Sequence, residues 1–108
     1  MAQMQPIRMG MIGGGEGAFI GAVHRHAAGL DGHYTLVCGA FSRNEENNLR
    51  TAETLNVAKA RTYDNWQFML EEESRLPEDE RMQVVVIVTP NHLHVPISIA
   101  AIKAGFHV

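Results

Sequence analysis

The chain has 108 residues, 45% of them apolar and 19% charged, with a net charge of −3. That suffices for one ordinary globular domain. The acidic balance gives no reason to expect nucleic acid or an anionic membrane as partner, and no apolar run is long enough to span a bilayer.

Residues 1–6 have neither the basic residue nor the apolar run of a secretory leader. Cys38 is the single cysteine. It excludes an internal disulfide, and a cytoplasmic location is the expectation. Cys38 falls in an apolar strand, where it reads as a small buried hydrophobe rather than a nucleophile.

The first expected strand covers residues 7–12. It runs into Gly13-Gly14-Gly15-Glu16-Gly17-Ala18, which carries G-x-G-x-x-A on Gly13, Gly15 and Ala18. Such a turn lets a backbone approach a pyrophosphate closely. Gly13 permits the tight turn, Gly15 has no Cβ to block phosphates, and Ala18 lets the following helix pack on the strand. That helix, expected over residues 18–28, turns free N–H groups and a positive dipole end towards the anion. Gly10 and Gly39 read as points of close packing.

A second strand is expected over residues 34–41. Ser42-Arg43-Asn44-Glu45 then has the form of a capping box, opening a helix to about residue 55 with Asn56 as its C-cap. A short third strand is expected over residues 60–63. Asp64 is the expected N-cap of a helix whose apolar face is Trp66, Met69 and Leu70. Residues 71–81, rich in charge, read as the end of that helix and a solvated loop. Val84-Val85-Val86-Ile87-Val88 is a continuous β-branched run, as in a parallel strand buried on both faces. A helix is expected over residues 95–104, with Pro96 in its first turn and Gly105 at C′. A fifth strand begins at Phe106.

This alternation predicts one α/β domain, a doubly wound parallel sheet that stops within its fifth strand. In such a sheet the first and fourth strands are neighbours, and ligands bind beyond their carboxyl ends. The glycine turn and Thr89-Pro90-Asn91-His92-Leu93-His94 should therefore face one crevice.

The acidic residue that usually ends the second strand, and binds a ribose 2′-OH, is missing. Ser42 and Arg43 stand there instead. An arginine near a helix N-terminus opposes the helix dipole, and a 2′-phosphate would offset that cost. NADP or NAD is the expected cofactor, with a slight preference for NADP. His94 reads as a cofactor- or substrate-contacting residue at the crevice. No metal site is expected. His24 and His26 cannot share a helix face, and His92 and His94 have no third ligand.

The glycine turn through Gly21, Val23-His24-Arg25, the stretch from Val88 to His94, and Ala104-Gly105-Phe106-His107-Val108 together resemble the N-terminal domain of the Gfo/Idh/MocA oxidoreductases. The resemblance covers nearly the whole chain, and its T-P-N-x-x-H stretch is more specific than its glycines. It implies a Rossmann domain binding NAD or NADP. The implied cofactor-binding residues are Gly13, Gly15, Gly17, Ala18, Phe19 and Ile20 on the glycine turn, Ser42 and Arg43 at the adenosine ribose, and Thr89, Pro90, Asn91 and His94 on the nicotinamide side.

In the family an acidic–Lys–Pro motif follows the fifth strand, and its lysine takes part in catalysis. A second domain then supplies substrate contacts and usually a homo-oligomer interface. The chain stops before that lysine, so none of its residues is assigned a catalytic role. The implied reaction is hydride transfer between the nicotinamide and a sugar, cyclitol or related polyol. The alternatives are a stand-alone nucleotide-sensing module and an S-adenosylmethionine-dependent transferase. The latter would normally want an acidic residue where Ser42 stands.

Overall fold

The computed structural model describes residues 6–15, 34–89 and 91–108. The expected helix over residues 18–28 lies outside them, as do Gly17, Ala18, Phe19, Ile20 and Pro90.

Among the described residues the strands form one parallel sheet. β1 (Ile7–Gly13) lies between β2 (Tyr34–Ala40) and β3 (Val84–Val88). Met9 through Gly13 pair with Val84 through Val88, residue for residue. Against β2 the register shifts between Met9 and Gly10, placing Gly10 opposite Cys38. Single parallel bridges extend both edges, Thr62 to Gly39 and His107 to Val84. Across the sheet the segments therefore run third, second, first, fourth, fifth, the order of a doubly wound fold.

The helices follow local capping chemistry, and here the structure corrects several expectations. α1 (Glu45–Thr54) is capped by Asn44, whose side chain accepts the Asn47 N–H. Ser42 stands two residues earlier, and its hydroxyl accepts the Asn44 N–H. The C-cap is Leu55, one residue before the expected Asn56, and Asn56 follows it in the left-handed region with φ 59°. Asn56 N–H donates to Glu53 O and Val57 N–H to Ala52 O, the paired bonds of a Schellman motif.

The expected third strand is a 3-10 turn, Lys59–Arg61, followed by the single Thr62 bridge. Pairing is brief because the Tyr63 carbonyl is taken by the Asn48 side chain. α2 (Trp66–Arg75) is capped by Asn65, not Asp64, through a bond from the Phe68 N–H.

α3 (Asn91–Lys103) starts four residues before the expected helix and takes Pro96 into its interior. Ile97 and Ala101, one turn apart, are fully buried on its inner face. Gly105 closes it with φ 97°, Gly105 N–H donating to Ile102 O and Phe106 N–H to Ala101 O.

Two cores cover the two faces of the sheet. Met9 and Met11 of β1 pack with Phe41, Ala52 and Val57 on one side, joined by Val84, Val86 and Val88. Ile12, Cys38, Met69, Met82, Val85, Ile97 and Phe106 form the other, joined by Ile87. β3 thus contributes to both, which is why its sequence does not alternate. Full burial of a side chain such as Met11 or Ile12 contributes about 1.5–3 kcal/mol. At Gly10 a Cβ would meet the sulfur of Met82, the Met69 Cε at 2.7 Å and the Cys38 Sγ at 2.9 Å. Sulfur side chains fill the space above that glycine.

The charge-rich stretch holds a further correction. Glu73 is not solvated: it is completely buried. Arg61 Nη2 and Nε donate to its two oxygens at 2.6 and 3.1 Å, the Tyr63 hydroxyl at 2.6 Å and the Met82 N–H at 3.0 Å. Burial alone would raise its pKa. The bonds from Arg61, Tyr63 and Met82 outweigh burial and hold the carboxyl below its ordinary range. Cys38 is pushed the other way, first by burial and then by Glu73, so its thiol stays protonated and inert.

Candidate functional site

A cleft of about 580 Å³ opens at the carboxyl ends of the strands. Its floor is the glycine turn, residues 13–15. One wall is residues 40–43 after β2. A second is residues 64–67, leading into α2. The third is Val88 and Thr89 with His92 and Leu93 at the start of α3.

The turn is built so that backbone, not side chain, faces this space. Gly13 has φ 89° and Gly14 φ 76°, a region side-chain-bearing residues avoid. A Cβ on Gly13 would also lie 3.0 Å from the Val88 carbonyl carbon and oxygen. Gly15 is held by its own N–H, which donates to Phe41 O at 3.0 Å. A Cβ there would come within 2.7 Å of Asn47 Oδ1 and 3.2 Å of Phe41 O and Ser42 Cβ. The absence of a side chain at Gly15 therefore serves the packing of the turn on the β2 end, beyond any ligand contact.

The structure brings Gly13, Gly15, Ser42, Arg43 and Thr89 to the cleft. Arg43 is exposed and forms no ion pair with any described residue. Thr89 Oγ1 is buried with no hydrogen-bond partner among the described residues. Buried hydroxyls are rarely left so, and one at a cleft wall suits a polar ligand. His94 Nε2 lies 2.7 Å from the Thr89 carbonyl, so the ring braces the β3–α3 turn beside the cleft. Asn91 is the first residue of α3. Lys59 and Lys103 are exposed.

Sequence reasoning missed the wall at residues 64–67, including Trp66, the chain's single tryptophan. The strand order carried the signal, because the third segment ends beside the second. It also missed Asn48, which is buried and ties the β2 end to Tyr63. The only hint was three asparagines, Asn44, Asn47 and Asn48, crowded at the start of one helix, where the residue is a poor helix former.

Comparison with known proteins decides the family. The model of GFO_IDH_MocA, described as "Oxidoreductase family, NAD-binding Rossmann fold", matches residues 7–108. The chain belongs to the Gfo/Idh/MocA oxidoreductase family. It is an NAD-binding Rossmann domain of that family.

The uncharacterized oxidoreductase YfiI of Bacillus subtilis (strain 168) is 37% identical over 105 residues, covering 96% of this chain and 26% of that protein. Among solved structures, an inositol dehydrogenase homolog from Azotobacter vinelandii, complexed with NAD+, superposes with a TM-score of 0.91 at 39% identity, over 96% of this chain and 26% of that one. An oxidoreductase from Pseudomonas syringae gives a TM-score of 0.90 at 42% identity, over 96% and 28%. The chain thus spans about a quarter of the length of these relatives.

The cleft fits the dinucleotide that the family binds. Its floor is a turn of three glycines, where only backbone borders the space, and its wall carries a buried hydroxyl with no partner among the described residues. Among the described residues no helix is long and apolar enough to cross a membrane.

Proposed function

We propose that this chain places a nicotinamide dinucleotide for hydride exchange with a polyol. The observation that carries the reading is the glycine turn at the floor of the cleft, with Ser42, Arg43 and the Thr89 hydroxyl, unpaired among the described residues, around it. Gly13 and Gly15 would meet the pyrophosphate, Ser42 and Arg43 the adenosine ribose, and Thr89 the nicotinamide side. Gly17, Ala18, Phe19, Ile20, Pro90 and Asn91 complete the proposed set from their places in the motif, with His94 acting through the Thr89 backbone. When bound, the nicotinamide accepts or gives up the hydride. This chain's residues hold it and exclude water from one side.

The polyol assignment rests on the Azotobacter homolog, which was also solved with NADH and myo-inositol, at 39% identity and a TM-score of 0.91. In the relatives most of the protein has no counterpart in these residues. We assign substrate contacts and catalytic proton transfer to that remainder, and any homo-oligomer interface with them.

For cofactor choice we propose a modest preference for NADP. No carboxylate ends β2 to repel a 2′-phosphate, and Arg43 is exposed at the rim. A solvated arginine–phosphate pair contributes on the order of 1 kcal/mol, roughly several-fold in affinity, and weakens as salt rises. Calorimetric titration with NADH, NADPH and S-adenosylmethionine tests both points. NADPH should bind several-fold tighter than NADH at low salt, the gap closing with salt and in Arg43→Ala. Tighter binding of NADH refutes the preference. Binding of S-adenosylmethionine alone refutes the dinucleotide reading.

A further inference from the structure

We propose that Asn48 is a positioning residue for the dinucleotide cleft, holding the glycine turn, the β2 end and the residue 64–67 wall in one register. The proposal rests on the dinucleotide reading for its functional meaning. The geometry stands without it.

Asn48 lies in α1, is 1% exposed, and ties its helix to two other segments at once. Its Oδ1 accepts the Phe41 N–H at 2.8 Å, with the Ser42 N–H at 3.4 Å. Its Nδ2 donates to the Tyr63 carbonyl at 2.8 Å. These partners settle which end of the amide is which, since a backbone N–H needs an acceptor and a carbonyl a donor.

The line continues on both sides. Phe41 passes it to the glycine turn, its carbonyl accepting the Gly15 N–H at 3.0 Å. Tyr63, next to the far wall in sequence, passes it to the later part of α2, its hydroxyl donating to buried Glu73, while its N–H donates to Gly39 O in β2. One hydrogen-bonded path thus runs from Gly15 through Phe41, Asn48 and Tyr63 to Glu73 in α2.

The chemistry of the residue matters as much as its place. An amide both accepts and donates, and it is neutral. A carboxylate could accept from Phe41 and Ser42 but would face the Tyr63 carbonyl with no proton to give. It would also set a negative charge behind the loop proposed to receive a ribose or phosphate. A hydroxyl or an apolar side chain leaves at least one segment unheld. The Phe41 and Ser42 backbone N–H groups would then be buried or half-buried with no strong partner, and the loop would move to find one.

Two variants separate positioning from general stability. Asn48→Ala cuts the path at its centre. Tyr63→Phe removes the bond to Glu73 but keeps the Tyr63 carbonyl, so every Asn48 contact survives. Both lose buried hydrogen bonds and should melt at a lower temperature. In the ligand-free chain, amide hydrogen exchange at Gly15 and Phe41 should quicken in Asn48→Ala by about tenfold or more relative to Met11 and Val86, and should not do so in Tyr63→Phe. Affinity for whichever of NADH and NADPH binds the unaltered chain more tightly should fall about tenfold in Asn48→Ala and less than about twofold in Tyr63→Phe.

Asn48→Ser, with the same expected outcomes, takes the place of Asn48→Ala if the alanine chain does not fold. Unchanged relative exchange at Gly15 and Phe41, or equal loss of affinity in the two variants, overturns the proposal. If the unaltered chain binds neither dinucleotide, the functional reading fails, while the exchange measurement still decides whether Asn48 holds the turn.

Discussion

Replacing Glu73 by glutamine should destabilise the domain strongly at neutral pH and weakly in acid. The carboxylate accepts four bonds, two on each oxygen: Arg61 Nη2 and the Met82 N–H on Oε1, Arg61 Nε and the Tyr63 hydroxyl on Oε2. A glutamine amide group must point its own donors at one of these pairs. The better choice is the Oε2 side, because the Tyr63 hydroxyl can turn and accept. Arg61 Nε is then left facing an N–H. Removing one partner of a buried ion pair costs about 3–5 kcal/mol. Arg61 is 23% exposed and can withdraw to water, so the cost falls towards that of a lost charged hydrogen bond, about 2–3 kcal/mol. For a domain of this size that is a drop in Tm of roughly 10–20 °C.

The pH dependence follows from the direction of the Glu73 shift. Its folded pKa lies below the ordinary value of 4.5. The stabilisation is therefore complete above that value and is lost as pH falls through the folded pKa. Glu73→Gln has no such group to protonate. The gap between the two chains should be widest near neutral pH and should narrow below about pH 4.5. Thermal melts followed by circular dichroism from pH 7 down to pH 3 measure it. A gap of only a few degrees at pH 7, or one that grows on acidification, would refute the reasoning.

Three further changes test the cleft. Gly13→Ala should cost at least about 2 kcal/mol, combining a left-handed φ with a Cβ pressed on the Val88 carbonyl, and urea melts will show whether it does. Gly15→Val should lower both stability and dinucleotide affinity, because the side chain would meet Asn47 and Phe41 before any ligand. Lost affinity with an unchanged melt would mean that only the ligand needs that space. Thr89→Val removes a buried hydroxyl that has no partner among the described residues. It should raise the ligand-free stability by up to about 1 kcal/mol while weakening dinucleotide binding; unchanged affinity by calorimetry would take Thr89 out of the site.

The glycine turn and β3 were legible in the sequence because each is specified locally. The φ of 89° at Gly13 and 97° at Gly105 favours glycine, and the β-branched run from Val84 to Val88 suits a strand covered on both faces. The sheet order then followed from the alternation and the handedness of the crossovers. Helix starts were legible to within one or two residues at α1 and α2, and missed by four at α3. Ser42, Asn44, Asp64 and Asn65 are near-equal caps by type. What selects Asn44 and Asn65 is where the Asn47 and Phe68 N–H groups fall, and that depends on how α1 and α2 dock.

Glu73 and Asn48 were hidden for a different reason. In sequence, Glu73 is one more charge in a charged run, and nothing nearby distinguishes it from Glu71 or Glu72. Its burial is decided by Arg61, twelve positions away, by Tyr63, and by the Met82 backbone. Asn48 likewise sits inside a polar helix, and its role exists only because the β2 end and Tyr63 converge on it. Both are polar residues whose partners come from other elements. They become visible only when the whole chain is folded, and both hold the cleft walls without lining the cleft. A sequence pattern that matches ligand contacts can find the proposed contacts Gly13 and Thr89. It has no reason to find the residues that keep those contacts in place, and substitutions at such positions should alter binding while leaving the family motif intact.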